Sequence, residues 1–148
     1  MPGVKPLLIL VIGCCGVAAC ASAPDALPYR MQNDAIPEPL TAVAGDAARG
    51  RQIVAGRDGN CLLCHALPET GERFMGNVAP ALSRVGARFT AGQLRLRIVD
   101  STRVNSEGVM PAYYRVHGLN QVAQPFRGQP ILTAQQVEDV VAYLSTLN

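Results

Sequence analysis

Two cysteines and a histidine stand within one five-residue run, Cys61-Leu62-Leu63-Cys64-His65, and this run constrains the chain more than any other feature. Thiols three positions apart can add to the two vinyl groups of one porphyrin. The imidazole of the next residue can then turn onto the iron. The spacing therefore predicts a single covalent haem c, with Cys61, Cys64 and His65 as its attachment points and His65 as the proximal iron ligand. Three other readings compete less well. A thioredoxin-like redox pair needs strands alternating with helices, a pattern the chain lacks. A zinc site needs a fourth protein ligand, and the only other histidine is His117, with no cysteine left to assist. A chance cluster leaves the rest of the sequence unexplained.

The other cysteines belong to a different segment. Of five, Cys14, Cys15 and Cys20 lie in or at the edge of an N-terminal stretch in which Lys5 precedes the apolar run Leu7 to Ala19. A short positive region, an apolar stretch shorter than the roughly 20 residues of a membrane span, and small residues after it read as an export signal over residues 1–20. Val17-Ala18-Ala19-Cys20 resembles a lipobox, which would place a lipid anchor on Cys20; Ala19-Cys20-Ala21 also fits ordinary small-x-small cleavage. Either way the mature chain is expected to be exported to the periplasm, membrane-anchored as a lipoprotein where Cys20 carries the lipid.

A chain of 148 residues allows one ordinary domain, and 49% hydrophobic with 16% charged residues excludes a solvated disordered polymer. A formal charge of +2 gives no footprint for nucleic acid. Residues 21–44, with Pro24, Pro28, Pro37 and Pro39, read as an extended Pro/Ala-rich arm outside the core, and the domain proper is expected over 45–148.

The periodicity in that domain is helical. Asp46 can cap a helix from Ala47 towards Ala55, whose central Gly50 calls for a closely packed partner. Thr133 and Gln136 form a capping box ahead of Val137, Val140, Val141 and Leu144, an apolar face flanked by Tyr143 and suited to crossing at Gly50. Thr90 and Gln93 repeat the box before a helix to about Val99, with Leu94 and Ile98 on one face. From Asp100 to Pro130 glycines and prolines interrupt every period, which predicts a loop wrapped against something apolar. Arg84, Arg88, Arg95, Arg97 and Arg103 read as a solvated face balanced by Asp100 and Glu107, with one of them a candidate for a haem propionate or a partner's rim. The expected class is all-α, three to four helices around the haem.

The order of these features resembles the monohaem cytochrome c fold across residues 45 to 148. The strings Gly59-Asn60-Cys61-Leu62-Leu63-Cys64-His65, Val85-Gly86-Ala87-Arg88, Val109-Met110-Pro111-Ala112-Tyr113-Tyr114, Gly128-Gln129-Pro130-Ile131-Leu132 and Glu138-Asp139-Val140-Val141-Ala142-Tyr143-Leu144 are similar to those of the X-subunit family of the bacterial sulfur-oxidation (Sox) system. The resemblance implies an electron-transfer subunit of the SoxAX complex, an L-cysteine S-thiosulfotransferase, paired as a heterodimer with a SoxA-type cytochrome. That complex joins thiosulfate to a cysteine of the SoxYZ carrier and passes electrons to a downstream acceptor. A free diffusible cytochrome and a non-haem exported lipoprotein are the alternatives. With Cys61 and Cys64 consumed as thioethers and Cys20 removed or capped, no thiol remains as a nucleophile, so no catalytic residue is expected on this chain.

The distal iron ligand is expected to be Met110, which follows His65 by 45 residues in a Pro-bounded loop after the third helix. Met75 comes only ten residues after His65, too soon to travel round the porphyrin, and His117 suits a surface. The resemblance further implies that the Pro80 carbonyl accepts a hydrogen bond from the His65 imidazole. Leu82 is expected to pack on the haem.

Overall fold

The computed structural model describes residues 28–148. The expected export signal, Cys20 and the first part of the arm lie outside the described residues. Among those described, four α-helices and several single 3-10 turns carry the fold, and the sole extended pairing is an isolated bridge between Gln32 and Ala35.

Helix α1 spans Ala47–Ala55, and the Asp46 carboxylate accepts from the Ala48 and Arg49 amides at 2.8 and 2.9 Å. Such a cap contributes about 1 kcal/mol by satisfying amides that have no helical partner. Helix α2, Val85–Arg88, was not legible in the sequence because four residues hold no period. Tertiary contacts make it: Val85 is buried and the Gly86 amide donates to the Leu147 carbonyl at 2.8 Å. Helix α3, Ala91–Asp100, and helix α4, Ala134–Ser145, each open with a complete capping box, Thr90 with Gln93 and Thr133 with Gln136.

Helices α1 and α4 cross where Gly50 meets α4; a Cβ there would run into the Asp139 carbonyl and the Tyr143 Cβ. Glycine at this point lets the backbones touch, and α3 packs on the other flank of α4. Val54, Leu96, Val99, Val137 and Val140 form the shared core.

Three expectations are corrected by this packing. The arm does not stand outside the core: Ile36 is 1% exposed, its amide donates to the Gly92 carbonyl at 3.0 Å, and the chain from Tyr29 to Leu40 straps across α3 and α4. An isoleucine among prolines was an apolar anchor, and composition averaged it away. Arg95 is not on a solvated face. Its guanidinium donates to both Glu138 carboxylate oxygens at 2.7 and 2.8 Å, with each side chain only 5% exposed, and it also reaches the Ile36 carbonyl at 2.7 Å. The Leu40 amide completes the cluster by donating to Glu138 at 2.9 Å. Asp100 is likewise buried, paired with Arg115 at 3.2 Å and Arg103 at 3.5 Å. Finally, the loop to Pro130 does not wrap as one piece. Val109 to Tyr113 lies against the helices, whereas Val116 to Gly128 closes a small cleft of its own.

Candidate functional site

After α1 the chain reverses through Asn60, which adopts a left-handed conformation at φ 48°, and enters a 3-10 turn over Cys61–Leu63. The Cys64 and His65 amides both donate to the Cys61 carbonyl, at 3.2 and 3.0 Å. This tight turn buries Leu62 in the core and sends Cys61, Cys64 and His65 to the wall of one cavity.

A second segment lies alongside. The Gly76 amide donates to the Leu62 carbonyl at 2.7 Å, Ala79 to Cys64 at 3.0 Å and Leu82 to Ala66 at 2.9 Å. Gly76 permits the approach, since a Cβ there would strike the Leu63 carbonyl. The ladder brings the Pro80 carbonyl within 2.6 Å of His65 Nδ1. A carbonyl oxygen only accepts, so Nδ1 carries the proton of this bond, which leaves Nε2 as the nitrogen that a metal would take. Pro80 contributes that carbonyl and does not itself line the cavity.

The remaining walls come from Val54 of α1, Ile98 of α3, Val140 and Leu144 of α4, and from Leu82, Leu132, Val109, Met110 and Tyr113. They enclose about 300 Å³ of almost wholly apolar space. The Tyr113 hydroxyl donates to the Gly59 carbonyl at 2.6 Å, tying the segment that carries Met110 to the one that carries Cys61. The sequence reading gave Tyr113 no role beyond its place in the string Val109 to Tyr114, because nothing local sets it apart from the neighbouring Tyr114.

The other ligand candidates lie elsewhere. Met75 packs against the core away from this cavity, and its sulfur accepts from the Leu67 amide at 3.1 Å. His117 is exposed and outside the lining. Among the described residues, no three His, Cys, Asp or Glu side chains gather as a metal-binding group.

Burial raises the Cys61 thiol, to about 11. At neutral pH only about one molecule in ten thousand would then be a thiolate, so a free Cys61 would be a poor nucleophile in this pocket. Burial also raises the Tyr113 phenol, which stays a neutral hydrogen-bond donor. Two thiols, an imidazole and a methionine sulfur on the walls of one apolar cavity are the groups that would hold a haem, and the residues present fit it.

The sequence profile of the cytochrome c family matches residues 47–148. The chain belongs to the cytochrome c family. It is also similar to a chain of the crystal structure of SoxXA from P. pantotrophus, with 34% identity and a TM-score of 0.74, over 80% of this chain and 93% of that one. The likeness makes it a SoxX-type c-type cytochrome. Comparison with curated proteins finds no match. As a member of this family the cytochrome carries one covalent haem c and transfers electrons. Among the described residues no helix is long and apolar enough to cross a membrane.

Proposed function

We propose that this cytochrome is the electron-accepting subunit of a SoxAX-type L-cysteine S-thiosulfotransferase, bound as a heterodimer to a larger SoxA-type cytochrome. The single observation that carries the reading is the likeness to SoxXA over 93% of the solved chain. In the overall reaction a cysteine thiol of the SoxYZ carrier and thiosulfate form an S–S bond, releasing one proton and two electrons. Bound haem supplies a centre that takes up one electron at a time and yields it to a downstream acceptor.

The chain's own residues hold and tune that centre. Cys61 and Cys64 would anchor it, His65 and Met110 would ligate its iron, the Pro80 carbonyl would orient the imidazole, and Leu82 would pack against it. A methionine ligand beside the histidine would raise the potential, which suits an electron acceptor. With Cys61 and Cys64 committed, no thiol among the described residues is left to attack or carry sulfur, so the bond-forming chemistry belongs to the partner. Leu63 and Val109 line the cavity and stand 70% and 81% exposed, an apolar rim on which the partner docks. Residues 1–20 direct export, and the complex works in the periplasm.

The test combines two measurements. The haem-loaded cytochrome should co-elute with a folded A subunit on gel filtration, and thiosulfate conjugation to the carrier should fall sharply without it. Separate elution with undiminished conjugation would return the protein to the class of diffusible carriers.

A further inference from the structure

The Met110 loop is held from behind by the end of α3. The Tyr113 and Tyr114 amides donate to the Ile98 and Val99 carbonyls, both at 3.1 Å. These carbonyls belong to the last turn of α3, where no helical amide remains to reach them. Upstream, the Gly108 amide closes a turn on the Asn105 carbonyl at 3.1 Å. Between these two ties, at Met110 itself, the Ser101 hydroxyl donates to the Met110 carbonyl at 2.6 Å.

Ser101 is well placed to act on Met110 rather than merely to end a helix. A serine directly after a helix usually bonds to a nearby backbone group or to water. Here the side chain is 8% exposed and reaches nine residues along the chain to the residue proposed as the distal ligand. Its own carbonyl accepts from the Val104 and Asn105 amides, both at 3.0 Å, so its backbone is fixed independently of the loop.

We infer that Ser101 is a positioning residue that holds Met110 at the haem through its hydroxyl bond to the Met110 carbonyl. The inference rests on Met110 being the distal ligand. Losing the bond leaves the helical walls of the cavity in place but loosens the loop at Met110, so an added small ligand competes with Met110 more easily.

The test uses the full haem-loaded ferric protein titrated with imidazole, followed through the sulfur-to-iron charge-transfer band. Ser101→Ala should retain the band and bind imidazole about three- to tenfold more tightly, the factor expected for one net hydrogen bond. Ser101→Thr, which keeps the hydroxyl, should return to within about twofold of the parent. Val137→Ala destabilises the core without touching the loop and serves as the control for general loosening.

Unchanged imidazole affinity in Ser101→Ala would overturn the inference. So would an equal gain in Val137→Ala, or failure of threonine to restore the parent value. Met110→Ala separates this inference from the ligand assignment. If that variant keeps the band, the assignment itself is wrong; if it loses the band while Ser101→Ala behaves as the parent, only the role of Ser101 falls.

Discussion

At the scale of single residues, chemistry and position did not always agree. Three side chains could have completed the iron's coordination, and they end in three settings. Met110 is in the cavity wall, Met75 has its sulfur occupied by the Leu67 amide, and His117 is at the surface. Met110→Ala is accordingly expected to abolish the sulfur-to-iron charge-transfer band of the ferric protein while Met75→Ala retains it, as near-infrared absorption would reveal. Arg95 shows the opposite case. Nothing in its neighbourhood distinguished it from Arg97, yet Arg95 is buried against Glu138 whereas Arg97 stacks over the Phe89 ring at 4.1 Å. Removing one member of a buried pair leaves the other uncompensated, so Glu138→Ala should lower stability by about 3–5 kcal/mol in denaturant titrations. A loss below about 1 kcal/mol would mean the pair is solvated.

At the scale of elements, α1 and α4 form one unit through Gly50 and Asp139. Gly50→Ala should cost about 3 kcal/mol, because the added methyl meets backbone that cannot move without separating the helices. Thermal unfolding of the variant checks this directly. Asp139 also accepts from Arg49 Nε at 2.8 Å and from the Asp46 amide at 2.8 Å. The Arg49 hydrogen bond, foremost, holds its carboxyl down at about 2. Because the folded value lies below the unfolded value of about 3.9, this stabilisation is complete above roughly pH 4 and is lost as the pH falls towards 2. Arg49 is half exposed, so solvent screens the pair and limits its contribution. Asp139→Asn should flatten the acid limb of the stability profile between pH 4 and pH 2, and a limb as steep as the parent's would assign acid unfolding to other groups. The capping boxes of α3 and α4 were legible because each is a local bargain among four residues. Helix α2 was not, since its support comes from the distant Leu147 carbonyl.

At the scale of the whole molecule, a cavity of about 300 Å³ sits where a small domain would otherwise place side chains. The fold is consequently expected to depend on what fills that space: protein produced without haem attachment should show less helix by far-UV circular dichroism and a broad, weakly cooperative thermal transition. A sharp transition at the temperature of the haem-loaded protein would show that the polypeptide is sufficient alone. The arm from Tyr29 to Leu40 strengthens the same body, because Ile36 and Leu40 bring it onto Arg95 and Glu138.

The short-range features were readable directly. Cys61-Leu62-Leu63-Cys64-His65 specified its cofactor, the capping boxes specified where helices begin, and Gly50 asked for a close neighbour, because each depends on covalent spacing or on groups within one turn. Everything that required two distant stretches to meet was settled by packing. Burial of Arg95 needs Glu138 to arrive from α4, docking of the arm needs Ile36 to find α3, and the hold on Met110 needs Ser101 at the end of a helix. The free energy of such contacts depends on which groups leave water together, and no local run of residues records that.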